Sequence, residues 1–153
     1  MRFIVDSMLG KLAKWLRILG WDTLYYNKLE KGGMIKIAQA ENRIILTRDT
    51  KLLARRDLNK LVFIKDNNYG LQLREVLDEL SLTIDSNKLL SRCLLCNKLL
   101  EKIPLEEVEG KVPEYVWQHN RKYSFCSLCK KIYWRGTHVD KALQMIEYLD
   151  SGS

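Results

Sequence analysis

Arg43-Ile44-Ile45-Leu46-Thr47-Arg48-Asp49 reads as the clearest strand in the chain, an aliphatic run of strand length closed by a carboxylate. Working outward from it, the same pattern recurs near the start, where Arg2-Phe3-Ile4-Val5-Asp6 is a second short apolar run that ends in an acid. Between the two, residues 8–19 carry apolar side chains at helical spacing, with Lys11, Lys14 and Arg17 three apart on the opposite face. Gly20 is a helix stop, residues 23–26 form a strand, and residues 34–40 form a helix after a flexible Lys31-Gly32-Gly33. Beyond Asp49, residues 50–56 predict a short helix, 61–65 a fourth strand and 72–80 an amphipathic helix. Strand and helix thus alternate four times, which predicts an α/β fold with a parallel sheet flanked by helices on both faces.

From about Ser91 the pattern changes to short runs and turn residues, and both prolines, Pro104 and Pro113, lie here. The four cysteines of the chain form two pairs, Cys93/Cys96 in C-L-L-C-N-K and Cys126/Cys129 in C-S-L-C-K-K. Two C-x-x-C knuckles can offer four thiolates tetrahedrally to one Zn²⁺. Disulfides or redox thiols are the alternative, set against a chain with no secretory leader in its opening residues. Four sulfurs leave no open coordination position, so the zinc is structural. His119 and His138 are accordingly read as structural rather than as ligands. The expected organisation is an α/β domain over residues 1–88 and a zinc ribbon with a terminal helix over 89–150, the helix spanning about 140–149.

Ligands in open parallel sheets bind beyond the carboxyl ends of the strands, where Asp6, Asp49 and Asp66 fall. Carboxylates there suit Mg²⁺ or Mn²⁺, which can bind a phosphate and activate water. Each acid has a structural alternative: Asp6 and Asp49 can cap the helices that follow them, and Asp66 begins the turn sequence D-N-N-Y-G. Lys11, Lys14 and Arg17 are candidate phosphate contacts, or else a solvated helix face. Trp15 and Trp21 are read as packing residues. A net charge of +7 on 153 residues, carried mostly by residues 1–88, suggests a polyanionic partner. No apolar run approaches the roughly 20 residues of a membrane span. The expectation is a cytoplasmic protein.

D-S-M-L-G-K-L-A-K-W-L-R-I-L-G-W-D-T, R-I-I-L-T-R-D, S-R-C-L-L-C-N-K-L-L and C-S-L-C-K-K-I-Y-W-R-G-T-H, in that order, resemble the Mut-seven C-terminal RNase domain family. The resemblance implies a PIN-like Rossmannoid nuclease fold with an attached zinc ribbon, and a divalent metal held by acids that cleaves RNA. Asp6 matches the first-strand acid and Asp49 the acid of the T-R-D strand. Glu30 is the acid nearest the family's position before the second helix, and Asp66 is a further candidate. Cys93, Cys96, Cys126 and Cys129 match the zinc ligands, while Lys11, Lys14, Arg17 and Arg48 are the expected RNA contacts. The function so implied is a Mg²⁺- or Mn²⁺-dependent ribonuclease. The alternative is a non-catalytic RNA- or ribosome-associated module on a decayed nuclease scaffold, favoured by Lys31-Gly32-Gly33. A phosphotransfer site using Asp6 as nucleophile would call for a second acid close by, where the chain has Met8.

Overall fold

Successive side chains of a strand leave opposite faces of its sheet, so a strand apolar throughout needs an apolar layer on both sides. The computed structural model, which describes residues 1–26, 31–55, 58 and 60–151, satisfies that demand with β1 (Arg2–Asp6), α1 (Gly10–Ile18), β2 (Asp22–Tyr26), α2 (Lys31–Glu41), β3 (Ile44–Thr47), β4 (Leu61–Phe63) and α3 (Tyr69–Glu79). The four strands are parallel in the order β2-β1-β3-β4. Phe3, Val5, Ile44 and Leu46 face a core shared with Leu12 and Leu16 of α1 and Leu73, Val76 and Leu77 of α3. Ile4 and Ile45 face the other way, onto Met34, Ile35 and Ala38 of α2 and Leu52. Strand order reverses between β1 and β3, which places the crevice for a ligand beyond their carboxyl ends.

The ends of the helices differ from the sequence expectation for local reasons. Residues Ser7–Leu9 wind as a 3-10 turn before α1, because Asp6 accepts the Ser7 N–H at 2.6 Å. The 50–56 helix is a 3-10 turn, Thr50–Ala54, capped by Asp49, and residue 56 lies outside the described residues. Asn68 accepts the N–H groups of Gly70 and Leu71, so α3 begins at Tyr69 rather than 72. The largest correction concerns Lys31-Gly32-Gly33, expected as a flexible loop. These residues form the first turn of α2. Gly33 is there for close approach: a Cβ at that position would collide with the Tyr26 hydroxyl.

The C-terminal part contains β5 (Glu101–Lys102), α4 (Leu105–Val108), α5 (Glu114–His119), β6 (Ser124–Cys126), β7 (Lys131–Tyr133) and α6 (Thr137–Ser151). Its strands make an antiparallel sheet in the order β5-β6-β7. Val108, Val116 and Tyr123 form a small core with Trp117 and Trp134 against it. Helix α6, which the sequence reading grouped with the ribbon, returns to the first sheet: Ala142, Leu143 and Ile146 join the core that contains α3. None of the described helices is long and apolar enough to cross a membrane.

Gly20 joins the two parts. Its φ is +98°, and a Cβ there would lie 2.5 Å from the Lys88 carbonyl oxygen. Gly20→Ala should therefore lower the unfolding free energy by about 2 kcal/mol or more, since it combines a strained backbone with a backbone clash. Urea unfolding followed by tryptophan fluorescence measures this, and a variant as stable as wild type would refute it.

Candidate metal centre and active site

The two knuckles fold alike. Asn97 N–H bonds to the Cys93 carbonyl at 2.9 Å and Lys130 N–H to the Cys126 carbonyl at 2.8 Å. Asn97 and Lys130, each one residue past its second cysteine, take positive φ values of 76° and 56°. The turns bring all four sulfurs within 4.8 Å of one another, with Cys93 and Cys126 fully buried. The Cys96 and Cys126 sulfurs are 3.6 Å apart, near the edge of about 3.8 Å expected for a tetrahedron with Zn–S bonds of about 2.3 Å. All four are free thiols. This geometry fits a metal ion such as zinc and a zinc ribbon.

The electrostatics of the cluster ask for a cation. Burial raises the Cys93 thiol, but the Tyr133 hydroxyl and the N–H groups of Cys96 and Leu95 stabilise the thiolate and bring it down to about 6. Its neighbours move the other way. Cys129 is pushed up to about 12, first by its contact with Cys96, and Cys96 is raised, first by burial. One thiolate thus suppresses the next, and a divalent ion among the sulfurs relieves the conflict by deprotonating its ligands. Tyr133 supports the site from outside: its hydroxyl accepts the Leu94 N–H and lies 3.1 Å from the Cys93 sulfur. His119 stands apart, with Nδ1 2.6 Å from the Tyr115 carbonyl.

The first knuckle also seals the amino-terminal edge of the parallel sheet. Asn97 Oδ1 accepts the buried Thr23 N–H at 2.9 Å, and its Nδ2 donates to Asp22 at 2.7 Å. Arg92 donates to the Gly20 carbonyl. Arg17 was expected on the solvent face of α1 with Lys11 and Lys14, and here the structure corrects the sequence. Arg17 is buried, donating to the carbonyls of Thr23 and Leu94, each at 2.8 Å. Burial lowers its pKa. It joins α1, β2 and the knuckle, whereas Lys11 and Lys14 are exposed. Arg43, also buried, donates to Asp22 at 2.8 Å. Burial alone would raise the Asp22 carboxyl. Hydrogen bonds from Arg43 and Asn97, with the charges of Arg43 and Arg92, outweigh it and hold the group below its ordinary 3.8. The seam is intact above that value and loosens as pH falls through the depressed one.

The acids lie at the opposite end of the sheet. Asp6 is 3% exposed; its Oδ1 accepts from Ser7, and its Oδ2 accepts the Thr47 hydroxyl at 2.8 Å. The same Thr47 oxygen accepts the Asp49 N–H at 2.9 Å, and Asp49 Oδ1 accepts the Lys51 N–H at 3.0 Å. Thr47, which has no role of its own in the T-R-D motif, therefore ties the Asp6 carboxylate to the backbone of Asp49 across the β1/β3 reversal. Asp66 makes the turn bond expected of it, accepting the Asn68 N–H at 2.9 Å, while Glu75 accepts the N–H groups of Lys65 and Asp66. Arg48 donates to the carbonyls of Lys65 and Asp66, so it fastens the end of β3 to the end of β4. Glu30 lies outside the described residues. Among the described residues, the four cysteines alone meet as a group of three or more ligand side chains; Asp6, Asp49 and Asp66 do not.

The family model of the Mut7-C RNAse domain matches residues 1–146. The chain belongs to the Mut7-C RNase domain family. Membership points to a nuclease-like role with RNA as the substrate class. No curated protein and no solved structure matches the chain significantly.

Cys126→Ser should increase amide hydrogen exchange through residues 91–134 and also at Thr23, whose N–H depends on Asn97 in the first knuckle. The central strands β1 and β3 should stay protected. Exchange followed by mass spectrometry decides this, and unchanged protection at Thr23 would separate the knuckle from the sheet. Structural zinc contributes on the order of 10 kcal/mol to folding of such sites, so elemental analysis should find one zinc per chain.

Proposed function

We propose that the chain is a divalent-metal-dependent ribonuclease whose centre lies at the carboxyl ends of β1 and β3, with Asp6 and Asp49 as the metal-holding pair. The observation that carries this reading is the Thr47 hydroxyl, which donates to the Asp6 carboxylate and accepts the backbone N–H of Asp49 at the strand-order reversal. One or two carboxylates with several waters and substrate phosphate are a sufficient set for Mg²⁺ or Mn²⁺. When bound, such an ion supplies an activated water and offsets charge developing on phosphate. The chain's own residues do the rest. Thr47 fixes the Asp6 carboxylate by donating to Oδ2, and Ser7 fixes the other oxygen. Asp49 is half-buried, so its side chain keeps some access to solvent. Lys11 and Lys14 on the exposed side of α1 attract the phosphate backbone. Asp66 is a further acid for the same end and Arg48 a positioning residue between β3 and β4; Glu30, the remaining candidate, lies outside the described residues. The four-cysteine site serves folding, and we place the protein in the cytoplasm, where thiols stay reduced.

A second reading has an observation of its own. Asp6, Asp49 and Asp66 each accept backbone N–H groups as caps, and no third acid joins the first two among the described residues. That arrangement also suits a non-catalytic module binding RNA or a ribonucleoprotein such as the ribosome.

Single-turnover cleavage of unstructured RNA in Mn²⁺ separates the two. Asp49→Asn keeps the cap, because Asn caps about as well as Asp, so the melting temperature should barely move. Cleavage by Asp49→Asn and by Asp6→Asn should fall by about 100-fold or more, the scale of losing one charge-stabilising group. Equal activity in wild type and both variants would abolish the catalytic reading and leave the binding module.

A further inference from the structure

Next to the acid end of the sheet lies a cavity of about 610 Å³. It is walled by the turn after β1, through Met8 and Lys11, and by the turn after β4, through Asn67, Asn68, Tyr69 and Gln72. Its size falls within the range of small-ligand pockets. Two side chains of the wall, Met8 and Asn67, have no use in the fold, and a third, Lys11, keeps its charge exposed. Met8 is 66% exposed, a large apolar side chain two residues past Asp6. Asn67 is exposed and makes no side-chain hydrogen bond among the described residues. Lys11 is exposed, holds its ammonium 5.7 Å from the centre of the Tyr69 ring, and has no acidic partner among the described residues.

Tyr69, by contrast, is held in place. Its ring is half-buried and stacked on Trp15, with centroids 6.1 Å apart and planes 11° apart. Trp15 is itself 4% exposed in the main core. A rigid aromatic wall, a polarisable thioether, a free amide and a lysine match a nucleotide part by part. The ring and the thioether take the flat base, the amide its hydrogen-bonding edge, and the ammonium its phosphate.

We propose that this cavity is a base-binding subsite, filled by one unpaired nucleotide of the RNA beside the phosphodiester at Asp6 and Asp49. It rests on the reading of that end of the sheet as the nuclease centre, and it narrows the substrate to single-stranded RNA. A base in a duplex is stacked and paired, so entry would require extruding it at a cost of a few kcal/mol. Because one ring, Tyr69, and the Met8 thioether take the flat of the base, and the Asn67 amide can both donate and accept at its edge, the subsite tolerates any base and demands only that one be present.

Fluorescence anisotropy with labelled eight-nucleotide RNA, without added Mg²⁺ or Mn²⁺, tests this with the full chain. Wild type should bind the single strand more tightly than the duplex, and an abasic nucleotide at one position should weaken binding by about tenfold. Tyr69→Leu and Met8→Ser should lose affinity for the intact strand by a similar factor and become indifferent to the abasic position. Lys11→Ala should weaken intact and abasic strands equally. Met8 is exposed, so its variant keeps the test decisive even where Tyr69→Leu loses stability. Equal affinity for abasic and intact strands at every position, or wild-type affinity in Met8→Ser, would overturn the subsite. Base-dependent binding without any cleavage in Mn²⁺ would uphold the subsite and remove the nuclease reading. Cleavage without base dependence would do the reverse.

Discussion

Four sulfurs held within 4.8 Å of one another cannot all carry negative charge unless a cation sits among them. That constraint organises far more than the ribbon. The first knuckle keeps its turn because Cys93 and Cys96 are fixed, and the turn aims Asn97 at the Thr23 N–H and at Asp22. The same turn presents the Leu94 carbonyl to Arg17. A buried guanidinium and a buried amide hydrogen in the α/β half are thus satisfied by a segment more than seventy residues away. Groups of this kind are costly to leave unpaired in a low-dielectric interior. The four-cysteine cluster therefore acts as the keystone of a polar seam as well as the core of a small sheet.

The two ends of the parallel sheet have divided labour. At the amino-terminal edge, Arg43, Asp22, Asn97 and Arg17 form a network committed to structure. At the carboxyl edge, Asp6 and Thr47 are buried and bonded to each other and Asp49 is half-buried, while Lys11 and Lys14 are exposed on α1. The ribbon's first knuckle seals the end opposite Asp6 and Asp49.

Much of this was legible in the chain. The β1 and β3 strands stood out as short apolar runs bounded by charge, and both lie buried on two faces in the parallel sheet. The cysteine spacing announced the ribbon. What escaped detection were pairings made across the fold. Arg17 shares a three-residue spacing with Lys11 and Lys14, and nothing local reveals that the knuckle covers it. Lys31-Gly32-Gly33 looked like a loop because two glycines weaken a helix; the Tyr26 side chain that favours glycine there belongs to another element. Thr47 and Asn97 are ordinary residues in sequence, and only their hydrogen-bond partners give them weight.

The return of α6 to the first core has a consequence for how the chain comes to be made. Leu73, Val76 and Leu77 of α3 are covered in part by Ala142, Leu143 and Ile146. During synthesis that apolar face is complete only after the whole ribbon has left the ribosome. At about 5–20 residues per second, the sixty or so intervening residues take several seconds, during which α3 is a target for aggregation or chaperones. A zinc ribbon that folds promptly on capturing its ion shortens the reach α6 must search, because it draws the two ends of the intervening segment together. Metal supply would then govern the yield of folded protein during translation, before any RNA is met.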